Sequence, residues 1–288
     1  MKKLFPFLIL ILLIVGCSEE PKKKNTPPKK VENSPSIDSL LSANQSSLTD
    51  FEKNKVKESK KLDNGMLIKW LNKGAGNKLQ VGEVVLIEYR LALPDGKIID
   101  GNQRAKLPFI PFIIGYNMQT LGWDLALQEL KVGDFVKVEM PAYLGRGEKG
   151  IPGLIPPNSV NWLYLKILAR VSPEYDQDGI KTWTFAPGVD TESIPGRENE
   201  VEYHALISTA SNPNVMNTYR AKFPLKYTKG QRNVVPGLQQ VLSKVKKGQK
   251  IYVLLDPEQA YGNRGYVNIV KPNESVFYNI TVKDIRPI

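Results

Sequence analysis

GYNMQTLGWDLALQELKVG (residues 115–133) and GQRNVVPGLQQVLSKVKKG (residues 230–248) are two versions of one segment, 115 residues apart. Glycines recur in register at 115/230, 122/237 and 133/248, which implies the same backbone angles at the same turns. Inside the first version Trp123, Leu127 and Leu130 stand at i, i+4, i+7, predicting a short helix over Gly122–Leu130 with one apolar face, stopped by Gly133. The second version turns Leu238, Val241, Leu242 and Val245 inward and starts at Pro236.

Working outward, the repeat continues. Gly147, Gly150 and Pro157-Asn158 match Gly262, Gly265 and Pro272-Asn273. Upstream the offset is 114, where Asn64-Gly65-Met66 faces Asp178-Gly179-Ile180 and Tyr89 faces Tyr203. Around each helix the pattern is strand-like: Val84–Leu93, the alternating Phe135–Met140 and the apolar Trp162–Val171. Two copies of an α+β domain are predicted, residues 61–172 and 173–288, each a twisted antiparallel sheet with one helix on its face. The copies divide near Val171–Pro173, and the segment Val171–Gly188 is too short to make them independent, so contact between them is expected.

Composition narrows the chemistry. The 288 residues hold one cysteine, Cys17, and one histidine, His204, which excludes a disulfide framework and leaves little for metal or triad chemistry. The net charge of +11 is spread as +2, +2, +4 and +3 over residues 1–16, 17–60, 61–172 and 173–288. No segment carries the clustered basic face of a nucleic-acid binder, so no nucleic-acid partner is expected.

Met1-Lys2-Lys3 precedes a twelve-residue apolar run, Leu4–Val15, too short for a helix spanning a bilayer. The junction Ile14-Val15-Gly16-Cys17 resembles the lipobox of bacterial lipoproteins. That resemblance implies a signal peptide over 1–16, a lipidated Cys17 at the new N-terminus, and membrane attachment through two or more acyl chains. By resemblance to enterobacterial lipoproteins, Ser18 after the cysteine implies the outer membrane, on its periplasmic or surface face. Residues 17–60, rich in Lys, Ser, Asn and Pro, read as a flexible linker, with Leu48–Lys60 compatible with a short polar helix.

Residues 62–172 resemble FKBP-type peptidyl-prolyl cis-trans isomerase domains. The matching pieces, in order, are Val81-Gly82-Glu83…Ile87-Glu88-Tyr89, Asp95-Gly96-Lys97-Ile98-Ile99-Asp100, Gly122-Trp123-Asp124, Lys131-Val132-Gly133-Asp134 and Gly153-Leu154-Ile155-Pro156-Pro157-Asn158. The resemblance implies a five- or six-stranded sheet around one helix. It also implies a proline pocket with Trp123 as floor and Tyr89, Phe109 (or Phe112), Ile155 and Leu163 as walls. Asp100 and the backbone N–H of Thr120 would supply polar contacts, and Ile99 and Arg146 replace the usual rim aromatics.

Such chemistry requires no cofactor: the barrier is amide resonance, about 18–20 kcal/mol, and a dry apolar pocket favours the twisted amide. The expected partners are proline-containing exported polypeptides, handled by a monomer with weak to moderate activity. A non-catalytic chaperone or envelope assembly subunit is the alternative.

The second copy departs further. Leu238 replaces the floor tryptophan, Tyr278 replaces Leu163, and no Asp or Glu occurs between Glu202 and Asp256. Asn217 or Asn214 is the nearest substitute for Asp100. A folded, inactive domain is expected, used for packing or for holding clients, with His204 at a surface or strand edge.

Overall fold

The computed structural model describes residues 55–105, 107–190, 195–196 and 198–288. The stretches read as a signal peptide and, as far as residue 54, as a linker, together with Cys17, lie outside the described residues. The first sheet contains β1 (Glu58–Lys61), β2 (Leu67–Asn72), β3 (Val84–Ala92), β4 (Ile98–Gly101), β5 (Ile110–Ile113), β6 (Phe135–Met140) and β7 (Asn161–Val171). Its order is β1-β2-β6-β7-β3-β4, with β5 also pairing β3. The second sheet contains β8 (Tyr175–Gln177), β9 (Ile180–Ala186), β10 (Asn199–Thr209), β11 (Met216–Asn217), β12 (Leu225–Thr228), β13 (Lys250–Leu255) and β14 (Val276–Pro287). It repeats the topology as β8-β9-β13-β14-β10-β11, with β12 on β10. Every strand pair is antiparallel, and the fold is α+β.

The helices are short: α1 (Asn102–Ala105), α2 (Leu121–Leu127), α3 (Thr218–Ala221) and α4 (Pro236–Leu242). Trp123, Leu127 and Leu130 are buried against Val85, Ile87, Val136, Val138, Leu163 and Leu165 of the sheet. Each fully buried aliphatic there contributes about 1.5–3 kcal/mol. The helix ends sooner than the apolar pattern predicts. Glu129 and Leu130 bond back three residues, to Ala126 and Leu127 carbonyls, so the last turn is tightened. Gly133 does not stop the helix: at φ 88° it donates its N–H to Ile167 O at 2.8 Å and docks the turn on β7.

The linker boundary moves. Glu58–Lys61 is neither tether nor polar helix but an edge strand, pairing Glu58–Lys61 with Trp70–Leu67. All four side chains are exposed, so the pairing is carried by backbone hydrogen bonds and leaves no apolar alternation to read. It is also why the sheet has seven strands rather than five or six.

Buried carboxylates tie the first domain's turns. Asp134 accepts from Trp70 Nε1 (3.1 Å), Gly74 N (2.6 Å) and Lys131 N (2.9 Å). Asp124 accepts from Gly115 N (2.7 Å) and Asn117 N (2.9 Å). The second domain carries Gln249 and Gln239 at these places: Gln249 accepts from Lys246 N, as Asp134 does from Lys131 N, whereas Gln239 donates to Val234 O.

The two sheets share a third apolar cluster. Val84, Ile113 and Tyr116 of the first pack against Trp183, Tyr252, Leu254 and Phe277 of the second. Tyr252 Oη donates to Pro111 O (3.0 Å), Ser208 Oγ to Tyr116 O (2.5 Å), and Asn117 Nδ2 to Thr209 O and Ala210 O (both 3.0 Å). β13 is therefore buried on both faces, Ile251, Val253 and Leu255 facing α4 while Tyr252 and Leu254 face the other domain.

Candidate functional site

β3 alternates Val85, Ile87 and Tyr89 toward the helix. β4 folds back on it so that Asp100 stands opposite Leu91. This places the Tyr89 phenol beside the Asp100 carboxylate, to which its O–H donates at 3.0 Å. The other Asp100 oxygen accepts the Gly101 N–H at 2.8 Å. Burial, then the charge of Asp100, push the Tyr89 phenol upward, so it remains a protonated donor at neutral pH. Asn102 completes the corner: its Oδ1 accepts the Tyr89 N–H at 2.7 Å, a contact without a sequence signal.

Trp123 enters from the first turn of α2. Its ring meets Tyr89 edge-on (5.0 Å, 72°) and stacks on Phe112 (5.8 Å, 11°). Only glycine fits before it. A Cβ on Gly122 would lie 2.4 Å from Met140 Sδ and 2.9 Å from Leu144 O. Leu163 of β7 belongs to the same buried cluster as these rings, while Ile155 joins Ile99 and Leu93 in a separate cluster. Thr120 is the extended residue preceding α2 (φ −85°, ψ 159°), and Arg146 reaches Gln119 Oε1 at 3.3 Å.

Of the expected walls, Tyr89 and Leu163 share the buried cluster of Trp123, whereas Ile155 and Phe109 do not. Phe109 precedes β5 and is half-buried, whereas Phe112, opposite Val85, is in the core, with Ile110 packed against the same cluster. The period-two alternation of 110, 112 and 114 is the signal that selects Phe112.

The lining is nearly closed. Tyr89 is 9% exposed, Trp123 4%, Ile155 3% and Ile99 1%. A cavity of about 50 Å³ opens beside Tyr89, Asp100 and Arg104. That is far below the roughly 300–1,000 Å³ of drug-sized ligand clefts.

FKBP-type peptidyl-prolyl cis-trans isomerase domains match the chain twice, over residues 76–167 and 191–283. The chain belongs to this FKBP family. It is 22% identical over 209 residues to "Peptidyl-prolyl cis-trans isomerase FKBP10" of Homo sapiens, a stretch covering 73% of this chain and 35% of that protein. It is 37% identical over 78 residues to "FK506-binding protein 1" of Debaryomyces hansenii, covering 27% of this chain and 69% of the relative. The chain thus spans about a third of the length of the human protein that it matches. Among solved structures, the three FKBP domains of wheat FKBP73 align with a TM-score of 0.40 and 20% identity, over 80% of this chain and 99% of that one.

Within the FKBP pair, the ladder corrects the sequence register of the second copy. The pairs β3–β7 and β10–β14 shift register at corresponding places, between Leu86 and Ile87 and between Glu202 and Tyr203. Ile87 thus corresponds to Tyr203, and Tyr89 (opposite Leu165) to Ala205 (opposite Ile280). Met216, opposite Ile207, takes the place of Asp100, so Asn217 and Asn214 are not its substitutes. Asn217 instead caps α3 by accepting the Arg220 N–H. The places of Tyr89, Asp100 and Trp123 thus hold no phenol, carboxylate or indole, and Leu238 is buried with Tyr203 and Tyr278, which stand where the first domain has Ile87 and Leu163. His204 bonds Thr218 Oγ1 (3.1 Å) and stacks on Tyr219 at 5.2 Å.

Asp124, next to the floor tryptophan, carries a pH dependence. Burial raises its carboxyl from 3.8 to about 6, against the opposing pull of its two N–H donors. Between those values the folded state holds a proton that the unfolded chain releases. The resulting stabilisation is full below about pH 4 and lost as pH rises through 6. Relative to Asp124→Asn, the wild type should gain about 2–3 kcal/mol between pH 7.5 and 4. Urea midpoints of both proteins at the two pH values check this; a gap that stays constant refutes it.

Proposed function

We propose that the first domain catalyses cis–trans isomerisation of Xaa–Pro bonds in exported polypeptides, held at the membrane by lipid on Cys17. The observation that carries the reading is one constellation present in one domain only. Trp123 is stacked on Phe112 and edge-on to Tyr89, and Tyr89 is bonded to Asp100 at 3.0 Å. The second domain has Leu238, Ala205 and Met216 at the corresponding places.

In this reading the proline ring rests on the indole, while Ile155, Leu163 and Leu91 keep water from the amide. Twisting the peptide bond breaks its resonance and weakens the carbonyl dipole, so an apolar environment stabilises the twisted state over the planar one. The backbone N–H of Thr120 and the rim around Asp100 hold the chain on either side of the proline. No proton or electron moves, and no cofactor is called for. The nearly closed lining requires the Ile99–Ile155 rim to give way before a ring enters, which favours modest turnover.

That closure also supports a second reading, a tandem that holds clients without isomerising them. A protease-free assay on Xaa–Pro peptides with the purified chain separates the two. Rate acceleration proportional to enzyme is expected; interconversion no faster than in buffer, with peptide still bound, selects the holding role. For location, we propose the cell envelope, with the outer membrane as the anchoring bilayer, and a monomeric protein.

A further inference from the structure

The rim of the first domain continues across the domain boundary. Gln119–Leu121 and Tyr143–Arg146 face Pro213, Asn214, Asn217 and Arg220 of the second domain over a groove of about 300 Å³. Its lining holds two formal charges, Arg146 and Arg220, and no carboxylate. Arg146 is half-buried and bonded to the neutral Gln119 Oε1. Among the described residues neither guanidinium forms an ion pair.

Burial and the charge of Arg220 hold the Arg146 guanidinium below its usual range, and Asp100 offsets this only in part. The groove thus presents two like charges with no carboxylate in its lining. The docking bonds from Asn117 to Thr209 and Ala210 fix the spacing. Leu121 and Tyr143 on the same wall are 53% and 67% exposed, giving a polypeptide apolar surface to lie on.

We infer that this groove takes the residues flanking the proline of a client and selects for a carboxylate there, an Asp or Glu side chain close to the Xaa–Pro bond. Thr120 and Arg146 line the groove and are also assigned to the rim of the crevice, so the groove is continuous with the place where a chain would leave the crevice. Guanidinium forks bind carboxylates through charge-assisted, often bidentate, hydrogen bonds, and two forks facing one groove recognise one acid well. Where the proline sits rests on the isomerase reading; the charge preference rests on the groove alone.

The test is a set of Xaa–Pro peptides with Glu, Ala or Lys one or two residues to either side, assayed for turnover and for binding by fluorescence anisotropy. Measurements compare the full chain with Arg220→Gln, a surface change outside the crevice. The Glu peptide should be preferred over the Lys peptide roughly tenfold at low salt, and less at high salt. In Arg220→Gln the preference should fall severalfold, with the Ala peptide unaffected.

Turnover without charge preference, or a preference undiminished in Arg220→Gln, overturns the groove and leaves the isomerase. Absent turnover with Glu-selective binding that Arg220→Gln weakens keeps the groove and removes the isomerase. Neither turnover nor selective binding removes both.

Discussion

Trp123→Leu should reduce proline-peptide turnover to the uncatalysed rate while leaving a folded protein. Leucine is what the second domain carries at this place, as Leu238, so the backbone tolerates it. The loss comprises the edge-on contact with Tyr89 at 5.0 Å and the stack on Phe112 at 5.8 Å. Such ring pairs contribute about 0.5–1.5 kcal/mol each beyond their buried area. The stability cost should stay below the roughly 3–5 kcal/mol of a Trp→Ala truncation, because leucine refills part of the space. The rate effect is larger. Without the indole the proline ring has no floor, and each 1.4 kcal/mol of lost transition-state stabilisation is a factor of ten. Turnover within threefold of wild type, in a variant shown folded by its melting curve, would remove the indole from the mechanism and place the isomerase activity on other residues.

The second large effect concerns the join between the domains. Phe277 is fully buried, with ring contacts to Tyr252 at 5.1 Å (90°) and, across the boundary, to Tyr116 at 6.1 Å. Phe277→Ala should cost about 3–5 kcal/mol in core packing. Because that packing belongs to the shared cluster, a single thermal transition in the wild type should separate into two. Cleavage by protease between Val171 and Tyr175 should accelerate at the same time. Tyr252→Phe is the control: it removes only the hydrogen bond to Pro111 O, worth about 1 kcal/mol, and should leave one transition. If Phe277→Ala melts as one unit with unchanged proteolysis, the domains are not coupled through this cluster. The variant bears equally on the groove, since docking alone holds Arg220 opposite Arg146.

The repeat, the α+β class and the buried helix face could be read from residues 115–133 and 230–248, because register-locked glycines and a 3.6-residue apolar period are local properties. The roles of Trp123 and Tyr89 rested on an ordered motif set and not on either residue alone, for a buried aromatic on a helix or strand is usually just core. What could not be read has a common cause. The edge strand Glu58–Lys61 is held by backbone bonds that leave its side chains free to be polar. The equivalence of Tyr203 with Ile87 depends on a register shift, and a shift is a property of a strand pair.

Phe112 was chosen over Phe109 by the strand opposite, where Val85 fixes which side chain turns inward. The facing of Arg146 and Arg220 arises from two surfaces meeting, more than seventy residues apart in the chain. Local sequence thus decided which elements form and which residue types line them, since propensity and periodicity act over a few residues. Long-range pairing decided which of those residues meet, since a hydrogen-bond ladder or a docked face is satisfied only when both partners are in place.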